Sequence, residues 1–182
     1  MTVLALDLAT EMGYALLRAD GRIESGSVKF NPKAKEGDGV RWLLFKRWLL
    51  ETKAANEGLS RVAYELVVGG VPGQVYAAQI YGGFVAVLQS FCEHHQIVYT
   101  GHHVGTIKKK WTGNGAAKKH HMVARCNALG FGTRNHNEAD AIALLHVALD
   151  RCPPLPLEAH VKKRPLRKDP DTSSKSLAFD PF

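Results

Sequence analysis

A chain of 182 residues with 45% hydrophobic content has material for one packed domain and a short extension, which excludes a disordered or low-complexity protein. Its formal net charge of +7 favours a polyanionic partner, nucleic acid first, over an acidic-surface or anion-repelling role. Three scattered cysteines, Cys92, Cys126 and Cys152, form no CxxC pair and argue against a disulfide frame or a zinc site. With no signal-like start and no apolar run expected to reach a membrane span, the chain is expected to be a soluble, cytoplasmic protein without a membrane partner.

In chain order, residues 2 to 8 read as a buried strand, apolar apart from Asp7. An acid in such a strand is costly unless a metal ion or a basic side chain pairs with it. Gly13 reads as a turn and residues 14 to 17 as a second strand. Asp20-Gly21 is a hairpin signal leading to a third strand over residues 22 to 30. These strands make an antiparallel meander, followed by a polar loop to Gly39. Residues 40 to 56 carry Trp42, Leu43, Phe45, Trp48 and Leu49 at helical spacing, a core face more than a base-stacking platform. Residues 61 to 68 repeat the first oddity, with Glu65 as the one acid towards the end of an apolar strand. Gly69-Gly70-Val71-Pro72-Gly73 must turn. A long helix over residues 74 to 95 contains Gly82-Gly83, where a kink or the close approach of another backbone is expected. Residues 96 to 100 form a short strand.

From Thr106 to Arg125 there are six Lys or Arg and no acid. Lys108, Lys109 and Lys110 precede Gly113-Asn114-Gly115, and Lys118 and Lys119 follow it. Lysines around a Gly- and Asn-containing turn suit phosphate: backbone N–H groups approach the oxygens and the ammonium groups neutralise them. The GxxxxGK[ST] order of a nucleotide loop is missing. The alternative is a solvated basic loop before a helix. Asp140 lies at or near the first turn of a late helix, where Asn137 as the cap and Asp140 three residues on would also make a capping box. After Arg151 the composition shifts. Residues 1 to 152 are therefore read as one domain, and residues 153 to 182 as a basic tail lacking a core of its own.

A meander followed by strand–helix alternation implies an α/β fold with a mixed sheet and helices on its faces. In such a sheet, strand ends and a helix start can bring Asp7, Glu65 and Asp140 together. Three carboxylates in one place repel one another unless cations enter. Mg²⁺, or Mn²⁺ in its place, takes hard oxygen ligands. Two such ions about 4 Å apart activate water and stabilise the leaving oxygen of a phosphodiester.

Four segments resemble the RuvC family of Holliday-junction resolvases, within the ribonuclease H superfamily, and particularly its phage-encoded members. They are Leu6-Asp7-Leu8-Ala9-Thr10 with Gly13; Tyr64-Glu65; Ile107-Lys108-Lys109 through Thr112-Gly113-Asn114-Gly115 to Ala117-Lys118; and Glu138-Ala139-Asp140-Ala141-Ile142-Ala143-Leu144. They occur in family order over about residues 2 to 150. The resemblance implies a ribonuclease H-like five-stranded mixed sheet, and a homodimer that nicks four-way DNA junctions in pairs with Mg²⁺. It implies Asp7, Glu65 and Asp140 as metal ligands, and Lys108, Lys109 and Lys118 on the DNA backbone, beside Lys110, Asn114 and Lys119 of the same basic stretch. The segment after Glu65 would lie near the crossover, and the helix beginning near Gln74 would help pair the subunits. The family's fourth ligand, an acid or His three residues before the last Asp, is replaced by Asn137, and an acid before the later Lys by Ala117. His136, four residues before Asp140, and Glu138, two before it, are equal candidates for the vacated role, ahead of Asn137. Two other readings stay open: a same-fold nuclease of flaps, forks or RNA–DNA hybrids, and a junction-binding protein without catalysis.

Overall fold

The computed structural model describes residues 1–69, 75–133 and 135–154. The expected turn over residues 70 to 73 and the expected tail from residue 155 onward lie outside the described residues. Three strands, β1 (Thr2–Asp7), β2 (Glu11–Leu17) and β3 (Ile23–Lys29), form the antiparallel meander. Gly21, at φ 86°, closes the β2–β3 hairpin in the left-handed region that Asp-Gly turns require. Strands β4 (Leu59–Leu66) and β5 (Val98–His103) add in parallel, giving the order β3-β2-β1-β4-β5. β1 is central, with an antiparallel neighbour on one side and a parallel one on the other.

Strand alternation divides the interior into two cores. Leu4, Leu6, Val62 and Tyr64 face α1 (Val40–Ala55) and α2 (Val75–His94). There Phe30, Phe45 and Phe84 pack edge-on, with Trp42 and Trp48 beside them, so the aromatic stripe of α1 is core. Val3, Ala5 and Ala63 face α3 (Val104–Thr112), α4 (Lys119–Ala128) and α5 (His136–Ala148). Val3, Leu4, Ala5 and Leu6 have no exposed surface, as a central strand covered on both faces demands.

Several expectations are corrected. Gly13 is no turn: it lies inside β2, paired with Asp7. The basic stretch is not one loop, because α3 and α4 form within it, on the buried pairs Ile107/Trp111 and Met122/Cys126. The late helix starts before Asn137, and its cap is Asn135, whose side chain accepts a bond from the Asn137 N–H at 2.9 Å. The expectation that no stretch reaches a membrane span fails for α2, a 20-residue helix long and apolar enough by composition to cross one. Phe84, Leu88, Phe91 and Cys92 on one of its faces are instead buried in the α1–α2 core. Of its two glycines, Gly83 answers to a side chain, not a backbone: a Cβ there would stand 2.3 Å from the Trp42 indole nitrogen, whereas one on Gly82 would meet nothing within 4 Å. All three cysteines are free thiols.

Candidate active site

The alternation that buries Val3 and Ala5 against α3–α5 carries Asp7 to the same face, and Ala63 does the same for Glu65. Leu6 and Tyr64 are register partners in the parallel β1–β4 pair. Asp7 and Glu65 each follow one residue later. Two carboxylates thus emerge side by side at the carboxyl ends of adjacent parallel strands, the end at which open α/β sheets place their ligands.

Asp140 arrives from α5, which lies across this face on Ala139, Ala141, Ile142 and Leu145. The first turn of α5 is tied to the meander by a polar lattice. Asn137 Nδ2 donates to the Glu11 carbonyl at 2.8 Å, and Asn135 Nδ2 donates to Ser27 Oγ at 2.8 Å. The Glu138 carboxylate accepts from Ser25 Oγ at 2.7 Å and from Thr133 Oγ1 at 2.6 Å. Between them sits Gly13, where a Cβ would lie 1.9 Å from the Asn137 carbonyl oxygen. The bare glycine lets the start of α5 rest on the strand beside Asp7.

The three acids share one electrostatic neighbourhood. Asp7 is raised well above the usual carboxylate range, first by burial and then by the charges of Glu65 and Asp140. Glu65 is pushed up to about 7 by burial and by Asp140. Burial also raises Asp140, against the pull of Lys108, His136 and Lys119. Lys108 acts on all three acids, and Lys119 on Asp7 and Asp140. Buried Asp140 Oδ1 has no hydrogen-bond partner among the described residues.

The structure therefore brings Asp7, Glu65, Asp140, His136, Lys108 and Lys119 together. His136 Nε2 and Lys119 Nζ are 2.8 Å apart, and His136 stands one turn before Asp140 on α5. Glu138 is held by Ser25 and Thr133, as spacing two from Asp140 on a formed helix requires. Lys110 turns aside, its Nζ 3.1 Å from Asp150 Oδ1. Lys109, on α3, and Lys118, the residue that caps α4, are exposed. Asn114 shapes the turn between them, its Oδ1 accepting from Ala116 N–H at 3.0 Å. Ser25 and Thr133 had no visible role in the sequence, and Gly13 was read as a turn, because each acts on a partner more distant in the chain or hidden by the unread start of α5.

All three acids are hard oxygen donors with excess negative charge, one of them with an orphaned buried oxygen, and this donor set suits Mg²⁺ or Mn²⁺. Among the described residues, no three His, Cys, Asp or Glu side chains are drawn in closely enough to hold an ion as they stand. The fit is one of chemistry and neighbourhood, not of a closed ligand shell.

A mixed five-stranded sheet with acids at its central strand ends and on a late helix defines a ribonuclease H-like fold. Within that fold class, solved RuvC structures are similar to this chain. Thermus thermophilus RuvC, in a structure complexed with a Holliday junction substrate, superposes with a TM-score of 0.66 over 83% of this chain and 95% of that one, at 17% identity. A second Thermus thermophilus RuvC structure gives 0.60 over 85% and 100%, at 19% identity. The yeast mitochondrial Holliday junction resolvase Ydc2 gives 0.54 over 78% and 75%, at 10% identity. No protein-family model and no curated protein sequence matches the chain.

Proposed function

We propose that this protein is a divalent-metal-dependent endonuclease that resolves four-way DNA junctions by paired, symmetric nicks. The observation that carries the reading is the convergence of Asp7, Glu65 and Asp140 from β1, β4 and α5, with Lys108 and Lys119 in the same field. Asp7, Glu65 and Asp140 would hold the metal, with His136 the fourth ligand in place of Asn137. Asn137 spends its side-chain amide on the Glu11 carbonyl, and Glu138 is occupied by two hydroxyls. When bound, Mg²⁺ supplies Lewis acidity and a water acidic enough to attack a phosphodiester.

The chain's own residues do the rest. Lys108, beside all three acids, offsets their charge and that of an approaching phosphate. Lys119, in the field of Asp7 and Asp140, contacts His136 Nε2 at 2.8 Å and adds a second positive charge beside the acids. The exposed Lys109 and Lys118, with the Asn114 turn between them, extend the positive surface away from the acids along α3 and α4, where a DNA arm would run. Paired nicks need two such sites. We place α2 at the pairing surface of a homodimer, since it leaves Val75 and Tyr76, 67% and 58% exposed, at its outer start.

The test is cleavage of an immobile four-way junction, beside flaps, forks and RNA–DNA hybrids, with Mg²⁺ or with EDTA. Symmetric, Mg²⁺-dependent nicks in the junction, abolished by Asp7→Asn, are the expected result. Preferred cleavage of another branched or hybrid substrate refutes the junction assignment. Junction binding without any cutting refutes the enzyme.

A further inference from the structure

Glu65 is held from behind. Tyr81, on α2, packs in the α1–α2 core on the sheet face opposite to the Glu65 carboxylate. Its hydroxyl donates to the Glu65 carbonyl oxygen at 2.8 Å and accepts from the Val67 N–H at 3.1 Å. β1 pairs with β4 only as far as Tyr64, and β5 only as far as Leu66. Val67 thus lies beyond the last paired position on both sides, three residues past it towards β1 and one past it towards β5, and Val67 and Val68 are exposed. A strand end without partners frays. Here one phenol bridges a carbonyl and an N–H two residues apart, both on the same edge of the strand, as a neighbouring strand would.

We infer that Tyr81 is a positioning residue for Glu65: by fixing the Glu65 carbonyl and the Val67 N–H together, it sets the direction in which the Glu65 carboxylate leaves the strand. The inference rests on the nuclease reading above. The sequence offers no sign of it, since Tyr81 falls among small and aromatic residues of a helix and sixteen positions separate it from Glu65. Both of these hydrogen bonds are to backbone atoms, so the phenol acts through the backbone. A shift of the Glu65 peptide swings its carboxylate across the space shared with Asp7 and Asp140.

The experiment compares full-length wild type, Tyr81→Phe and Tyr99→Phe. Tyr99 is a matched control, because its hydroxyl binds Glu93 Oε1 at 2.9 Å away from the acids. Three readouts are taken: amide hydrogen exchange, Mn²⁺ affinity of the DNA-free protein by electron paramagnetic resonance, and junction cleavage at saturating Mg²⁺ and DNA. In Tyr81→Phe, exchange at Val67 is expected to rise about tenfold, with Val62 and Ala63 unchanged. Mn²⁺ affinity and the maximal cleavage rate are expected to fall about 10- to 100-fold, with junction affinity unchanged. Tyr99→Phe is expected to match wild type throughout. A Tyr81→Phe protein that binds Mn²⁺ and cleaves as wild type does overturns the inference, whatever happens at Val67. A wild-type chain that neither binds Mn²⁺ nor cleaves overturns the nuclease reading and this inference with it, and the wild-type arm tells the two failures apart.

Discussion

Replacing Gly13 with alanine should separate the position of α5 from every charged group in the site. Gly13 has no left-handed backbone, so alanine fits the strand and the only penalty is steric. The added Cβ would lie 1.9 Å from the Asn137 carbonyl oxygen, 2.3 Å from its carbon and 3.0 Å from the Glu138 nitrogen. Real Cβ contacts essentially never fall below 3.0 Å, so the first turn of α5 must retreat by at least 3.0 − 1.9 = 1.1 Å. That turn carries His136 and leads directly to Asp140, and it is tied to β2 by the bond from Asn137 Nδ2 to the Glu11 carbonyl. Overpacking of this kind costs about 1–3 kcal/mol, and a lost hydrogen bond about 1 kcal/mol more. Displacing a metal-site acid by about 1 Å should lower the cleavage rate about 100-fold. Urea denaturation measures the first effect and single-turnover cleavage of a four-way junction the second. A Gly13→Ala protein with wild-type stability and wild-type rate would refute the claim that this contact sets α5.

Three further outcomes follow from the electrostatics and the polar lattice. In metal-free buffer, Glu65 binds a proton in the folded state that it releases when unfolded, so it destabilises the fold progressively as pH rises from about 4.5 to about 7, with no contribution below that window. Glu65→Gln should therefore gain stability over wild type as pH rises through the window; a gap that stays flat in denaturant titrations removes the argument. Lys108→Gln and Lys119→Gln should slow cleavage and each reduce the slope of log affinity against log salt by about 0.9, whereas Lys110→Gln, whose partner is Asp150, should change both less. Equal effects at all three positions would contradict the placement. His136→Ala should weaken Mn²⁺ binding; Glu138→Gln should leave it unchanged, and Glu138→Ala should lower stability by about 1–3 kcal/mol through the orphaned Ser25 and Thr133 hydroxyls.

Asp7 and Glu65 stood out as candidates because a lone acid in a buried strand is costly unless something pairs with it, and alternation then fixes its face. Asp140 was legible as an acid near a helix start, but not the start itself: Asn135 and Asn137 are both good caps, and only the bond from the Asn137 N–H to Asn135 chooses. The same ambiguity left Glu138 and His136 level. In the fold Glu138 is occupied by Ser25, on a strand more than a hundred residues earlier, and by Thr133, while His136 meets Lys119. Helices α3 and α4 escaped notice because each buries only one pair of side chains four apart, Ile107/Trp111 and Met122/Cys126, among lysines and histidines. Two buried positions in nine or ten residues, flanked by charge, leave a short apolar face that reads as loop. Gly13 looked like punctuation because its reason lies 124 positions away, in a helix carbonyl.

The central position of β1, between an antiparallel and a parallel neighbour, has a consequence for how the protein comes into being. The hairpin of β2 and β3 forms from nearby residues, but β4 joins β1 only after the intervening α1 segment has been made, and α5 closes the site from the far end of the domain. Contacts of such long sequence separation form late. A nascent or partly folded chain thus holds its acids apart, and their mutual repulsion is deferred until both cores stand ready to oppose it. The acid cluster, on this topology, is assembled from both ends of the domain.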